Sequence, residues 1–130
     1  MNTDQMNQAV SSPQAPAAIG PYSQAIRNGR EIYVSGQLPI DPKTGSIASD
    51  DIRDQTRQCL CNIRSILQAA GADMGNVVKT MVILRHISDF AAMNEVYASF
   101  FSDPFPARGT FQAGAMFGDA LVEIEAVAIL

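Results

Sequence analysis

The spacing of apolar residues changes character twice along the chain. Residues 22–28 and 31–35 form two short apolar-rich runs on either side of Asn28-Gly29. That dipeptide suits a tight hairpin turn, so the runs predict paired strands. Pro39, Asp41-Pro42 and Lys43-Thr44-Gly45 then mark a loop and a second turn. From Ser49 onward the period lengthens: Ile52, Thr56, Cys59, Leu60, Ile63, Ile66, Leu67 and Ala70 recur at steps of three and four, with Arg53, Asp54, Arg57, Gln58, Asn62, Arg64 and Gln68 between them. This predicts an amphipathic helix. Ser49 or Asp50 caps its first amides, and Gly71 ends it in a left-handed conformation.

Residues 77–85 are apolar on both sides, as in a central strand covered on both faces. Ser88-Asp89 then opens a second helix, in which Phe90, Met93, Tyr97, Phe100 and Phe101 keep helical spacing until Pro104 and Pro106 stop it. That aromatic stripe reads as core, not as a ring-binding site. Residues 107–113 and 121–130 give two last strands across a glycine-containing loop. The order is strand, strand, helix, strand, helix, strand, strand, a two-layer α+β pattern. Two helices cover one face of such a sheet, so the other meets water or another copy of the chain, and the apolar run at 77–85 favours another copy. Residues 1–18, rich in Asn, Gln, Ser, Ala and Pro, read as a loose leader to a single domain at 19–130.

Composition narrows the partners. With 130 residues, 47% of them hydrophobic and 17% charged, the chain supports one core without disulfides or a structural metal. A mean hydropathy of +0.04 suggests that part of its surface is hidden in an oligomer. Nine basic against thirteen acidic residues give a net charge of −4 and no basic block, which speaks against nucleic acid as a partner. Cys59 and Cys61 point to nearly opposite sides of the expected helix, and His86 is the one imidazole, so no zinc or iron site can be assembled. No apolar run approaches a membrane span, and residues 1–6 lack the basic and apolar regions of a signal peptide. The expectation is a cytoplasmic protein that binds neither membrane nor metal.

Candidate chemistry lies in polar residues on otherwise apolar strands. Arg108, Thr110 and Gln112 share one face of their strand, opposite Ala107, Gly109 and Phe111; Glu123 and Glu125 share one face of the last. If these two strands pair, an arginine and a carboxylate line one recess. An ordinary ion pair on a half-buried sheet is the alternative that spacing leaves open.

Five motifs occur in order: Ile19-Gly20-Pro21-Tyr22-Ser23-Gln24-Ala25, Val34-Ser35-Gly36-Gln37-Leu38-Pro39, Asp41-Pro42-Lys43-Thr44-Gly45, Phe105-Pro106-Ala107-Arg108 and Val122-Glu123-Ile124-Glu125-Ala126. Over residues 15–130 the chain resembles the RidA/YjgF family. The resemblance implies a two-layer chorismate-mutase-like α+β fold, with one mixed, mainly antiparallel sheet and two helices on one face, in a homotrimer with clefts between subunits. It implies cofactor-free hydrolysis of reactive 2-enamino and 2-imino acids, of the kind acted on by a 2-iminobutanoate/2-iminopropanoate deaminase, to 2-oxo acids and ammonia. By position, Arg108 matches the arginine that grips the substrate carboxylate, a task suited to a planar guanidinium. Glu123 matches the acid beside the hydrolytic water, and Tyr22, Ser35, Gly36 and Asn94 match the lining of the substrate site. Members often carry cysteine where this chain has Thr110, which can relay a proton through its hydroxyl but is no thiolate. Two alternatives remain: a dedicated catabolic deaminase, such as one for 2-aminomuconate, and a non-catalytic trimer that binds keto acids.

Overall fold

A computed structural model describes residues 6–130 of the chain. The elements in order are β1 (Gln8–Val10), β2 (Ala25–Asn28), β3 (Glu31–Gln37), α1 (Ile52–Ala69), β4 (Val77–Leu84), α2 (Phe90–Ser99), β5 (Ala107–Gln112) and β6 (Val122–Ile129). The strands form one six-stranded sheet in the order β1-β2-β3-β6-β4-β5. β4 and β5 run parallel across the connection through α2, and every other pair is antiparallel. Both helices lie against one face, as expected. No helix among the described residues is long and apolar enough to cross a membrane.

The core follows from the two periodicities. Ile32, Val34, Val82, Leu84, Val122, Ile124, Ala126 and Ala128 alternate inward from the sheet, and Cys59, Leu60, Ile63, Ile66 and Leu67 of α1 meet them, all buried. Asp51, one residue beyond the expected caps, caps α1 by accepting from Arg53 N and Asp54 N. Ser49 instead accepts from Asp51 N and donates to the Asp54 carboxylate. At the far end Gly71 takes a φ of 85°, the left-handed stop that the sequence predicts.

Two amides of α1 organise the loops around the sheet. Asn62, which the helical period places on the solvent side, is buried, and its Nδ2 donates to the carbonyls of Leu38 and Ile40. Gln55 donates to the carbonyls of Ser49 and Asp119 and accepts from Leu121 N. Loop backbone that runs beneath a helix needs partners there, and these side chains supply them.

The expected loose leader is ordered in part. Gln8–Val10 pair with β2 as β1, and Val10 is buried. The cause is Gln24, 5% exposed, whose side chain accepts from Ser12 N and donates to the carbonyls of Ser12, Ala15 and Pro16. Residues 1–5 of the expected leader lie outside the described residues.

Among the described residues nothing covers the outer face of the sheet. Ile26, Tyr33, Val127, Met81, Ile83 and Phe111 lie there by register, each half-buried or exposed. β4 is therefore central between β6 and β5, but its second face is bare.

Candidate functional site

The sequence-predicted site residues fall into two groups, one on each side of the sheet. On the helical side, at the open edge, β5 carries Arg108 and Thr110, both half-buried. Arg108 pairs with Thr80 and Thr110 with Val82; the buried state of Thr80 and Val82 fixes this side as the one facing α2. Helix α2 contributes Phe90, Asn94 and Tyr97, spaced so that they share one helical face. The Arg108 guanidinium carbon lies 4.7 Å from the centroid of the Tyr97 ring and 5.4 Å from that of Phe90. The Tyr97 hydroxyl is hydrogen-bonded to the Thr80 hydroxyl at 2.7 Å. Burial pushes the Tyr97 phenol pKa up, while Thr80 and the Arg108 charge oppose that rise. The Asn94 Oδ1 is buried without a partner among the described residues, an acceptor left for a donor that the folded chain does not supply.

The second group gathers where β3 meets β6. Glu123 projects from the outer face and lies directly over Gly36, where a β-carbon would overlap its Oε2 and stand 3.1 Å from its Cδ. Gly36 sits where the β3–β6 register shifts between Val34 and Gln37, so the backbone there makes room for the carboxylate. Burial, and then the charge of Glu125 two residues along the same face, hold the Glu123 pKa above the ordinary 4.5. Such a carboxyl is suited to giving and taking protons nearer neutrality. The Ser35 hydroxyl donates to the Ser23 carbonyl at 2.6 Å, which ties β3 to the segment carrying Tyr22. Tyr22, 49% exposed, accepts through its hydroxyl from Ile19 N and borders a cavity of about 280 Å³ that Gly36, Leu38, Ile40 and Pro42 also line.

The two groups do not meet within one chain. The last two strands do not pair, so the condition for one shared recess is not met: β4 lies between β5 and β6, and alternation turns Arg108 to the helical face and Glu123 to the outer one. Arg108 and Glu123 can act on one ligand only if two chains come together. Among the described residues no group of three or more His, Cys, Asp or Glu is placed to hold a metal ion.

The aromatic partners of Arg108 are not marked as such in the sequence. Phe90 and Tyr97 are seven residues apart on α2, a spacing that also describes core packing, and Tyr97 does pack on Phe101 with ring centroids 4.8 Å apart. The only signal was the polar Asn94 in the same stripe.

A family model described as endoribonuclease L-PSP matches residues 12–130. A RutC family protein of Pyrococcus horikoshii is 50% identical over 123 residues, covering 95% of this chain and 98% of that protein. A 2-iminobutanoate/2-iminopropanoate deaminase of Capra hircus is 48% identical over 120 residues, covering 92% and 88%. The crystal structure of E. coli TdcF with bound serine superposes with a TM-score of 0.89 at 38% identity, covering 95% and 98%.

Proposed function

Because the chain belongs to the RidA/YjgF family, we propose that it hydrolyses reactive 2-enamino and 2-imino acids to 2-oxo acids and ammonia, without a cofactor, as a homotrimer with sites between subunits. The observation that carries this reading is the pairing of a guanidinium free to bind an anion with a carboxyl of raised pKa, on opposite faces of one sheet. The name of the goat relative supports the reaction class, and the serine in TdcF supports a ligand of amino-acid shape. The bare outer face is the surface that assembly would cover. Free thiols at Cys59 and Cys61 suit a reducing compartment, which we take to be the cytoplasm.

The chemistry asks little of the protein. A protonated imine carbon is already electrophilic, so the site has to hold the substrate carboxylate, place a water and move protons. Arg108 of one subunit grips the carboxylate. Glu123 of its neighbour takes a proton from the water as the oxygen bonds to carbon and the C=N electron pair moves to nitrogen. The same carboxyl then returns that proton to nitrogen. Ammonia leaves as the C–N bond breaks, and the remaining hydroxyl passes its proton to the Glu123 carboxylate to give the 2-oxo acid. An enamine first takes a proton at carbon. Thr110, two residues from Arg108 on the same face, is placed to relay a proton through its hydroxyl, while Tyr22, Gly36 and Asn94 line the pocket. The Ser35 hydroxyl proton is committed to the Ser23 carbonyl. Its part is to hold Tyr22 in place, with oxygen lone pairs left for a ligand.

The test uses two inactive variants. Arg108→Ala and Glu123→Gln should each lower kcat/KM by about 10²- to 10³-fold, as loss of one partner of a buried charged contact does. Mixed in equal amounts through unfolding and refolding, they should recover activity, since about one interface in four would carry both intact residues. A single variant with the wild-type rate would remove that residue from the mechanism. Inactive singles that never complement would place both residues in one subunit's site, against the geometry proposed.

A further inference from the structure

Arg108 differs from the other arginines in having no polar partner among the described residues. Arg27, Arg30, Arg53, Arg57, Arg64 and Arg85 each donate a hydrogen bond from the guanidinium, to a carbonyl, a carboxylate or the Cys61 sulfur. Arg85 is the extreme case, with donors on the carbonyls of Met116, Gly118 and Ala120. Arg108 makes no hydrogen bond or ion pair among the described residues. It is held instead by the faces of Tyr97 and Phe90, at 4.7 and 5.4 Å. A guanidinium held by polar partners has fewer donors for a ligand. One held against rings keeps all five, at a fixed position and tilt.

The rings are themselves anchored. Tyr97 is 4% exposed, packs on Phe101, and is held at its hydroxyl by Thr80. Thr80 is the β4 residue that pairs with Arg108. One β-pair therefore supplies both the arginine and the group that fixes the ring beneath it. The guanidinium lies over the Tyr97 ring and makes no hydrogen bond to the Tyr97 hydroxyl, so its donors are left for a carboxylate.

We propose that Tyr97 and Phe90, with Tyr97 pinned by Thr80, are positioning residues that orient Arg108 for the substrate carboxylate. This rests on the deaminase reading above but can be read without turnover. The carboxylate is gripped in ground state and transition state alike, so the proposal predicts a rise in KM with kcat nearly constant. Leucine at either position keeps apolar volume and removes the ring.

We expect Phe90→Leu to raise KM about threefold and Tyr97→Leu about tenfold, within the usual range of a cation–π contact. Tyr97→Phe restores the ring and should recover most of that loss. Calorimetric dissociation constants for 2-oxobutanoate should follow the same order. In NMR spectra the Arg108 Nε–H proton should be shifted upfield by the two rings, and should move back towards the position of a free arginine in both leucine variants. Phe90 is 41% exposed, so its variant keeps the proposal testable if Tyr97→Leu fails to fold. An Arg108 proton without ring shift in the wild type, or Phe90→Leu with unchanged KM and affinity, would overturn the proposal. If the wild type turns over no imine but the oxo-acid and NMR results hold, the cradle stands and the deaminase reading falls.

Discussion

Replacing Gly36 by alanine separates the position of the Glu123 carboxylate from its presence. A β-carbon there would overlap Glu123 Oε2 and sit 3.1 Å from Cδ and 3.4 Å from Cγ. The clash is with the free end of a flexible side chain, so β3 and β6 can stay paired while the carboxylate swings aside. Restoring van der Waals separation requires a shift of about 1 Å. A displacement of that size at a reacting group costs about 10²-fold in rate, or about 2.7 kcal/mol of barrier. The fold should scarcely register the change, because alanine restricts the unfolded chain and offsets a fraction of any native strain. The assay is release of 2-oxo acid from an imine generated in situ, corrected for spontaneous hydrolysis, beside thermal melts followed by circular dichroism. We expect kcat to fall about 100-fold with the midpoint within about 5 °C of wild type. The double variant Gly36→Ala/Glu123→Gln should be no slower than Glu123→Gln alone, since both remove one function. Wild-type kcat in Gly36→Ala, or losses that multiply in the double variant, would refute the placement of Glu123 at the reacting water.

Glu123→Gln should raise the melting midpoint at pH 7. The folded-state pKa lies above 4.5, so the folded form binds more protons than the unfolded form above that pH, and stability falls as pH rises through the window. The gain should shrink as pH falls and vanish well below pH 4.5, where both states are protonated, and a pH series of melts reads it directly. Gln24→Ala leaves the backbone groups of Ser12, Ala15 and Pro16 without their side-chain partner. We expect a loss of about 2–4 kcal/mol in urea unfolding, with proteolytic cleavage appearing first at residues 11–17.

Much of the architecture was legible because its signals are local. The Asn28-Gly29 turn, the period of α1 and its Gly71 stop, and the prolines after α2 each state their own geometry within a few residues. The alternation of Arg108 and Thr110 against Phe111, and of Glu123 against Ile124, was equally visible. What alternation cannot reveal is which strand lies beside which. β6 enters between β3 and β4, so β5 and β6, neighbours in sequence, are not neighbours in the sheet, and the faces of Arg108 and Glu123 could be related only through β4. The strand Gln8–Val10 is too short to carry a period and owes its order to a side chain sixteen residues beyond Gln8, Gln24. Asn62 was placed on the wet side by helical period, because a period does not say where loop carbonyls lie in need of donors. Tyr97 has one role in the core and a second beneath Arg108, and its spacing announced only the first.

The buried amides of α1 also bear on how the protein breathes. Asn62 grips the strand exit at Leu38 and Ile40, and Gln55 grips the strand entry at Asp119 and Leu121, so the two loops flanking Glu123 are fastened to one helix in the middle of the core. Loops fastened to the surface open locally at small cost, but these cannot loosen without disturbing the helix that closes the domain. Hydrogen exchange at the Leu121 amide, whose acceptor is Gln55, should therefore report the opening of α1. Order around the carboxylate and integrity of the whole domain form one equilibrium, so the site should stay rigid until the fold itself gives way.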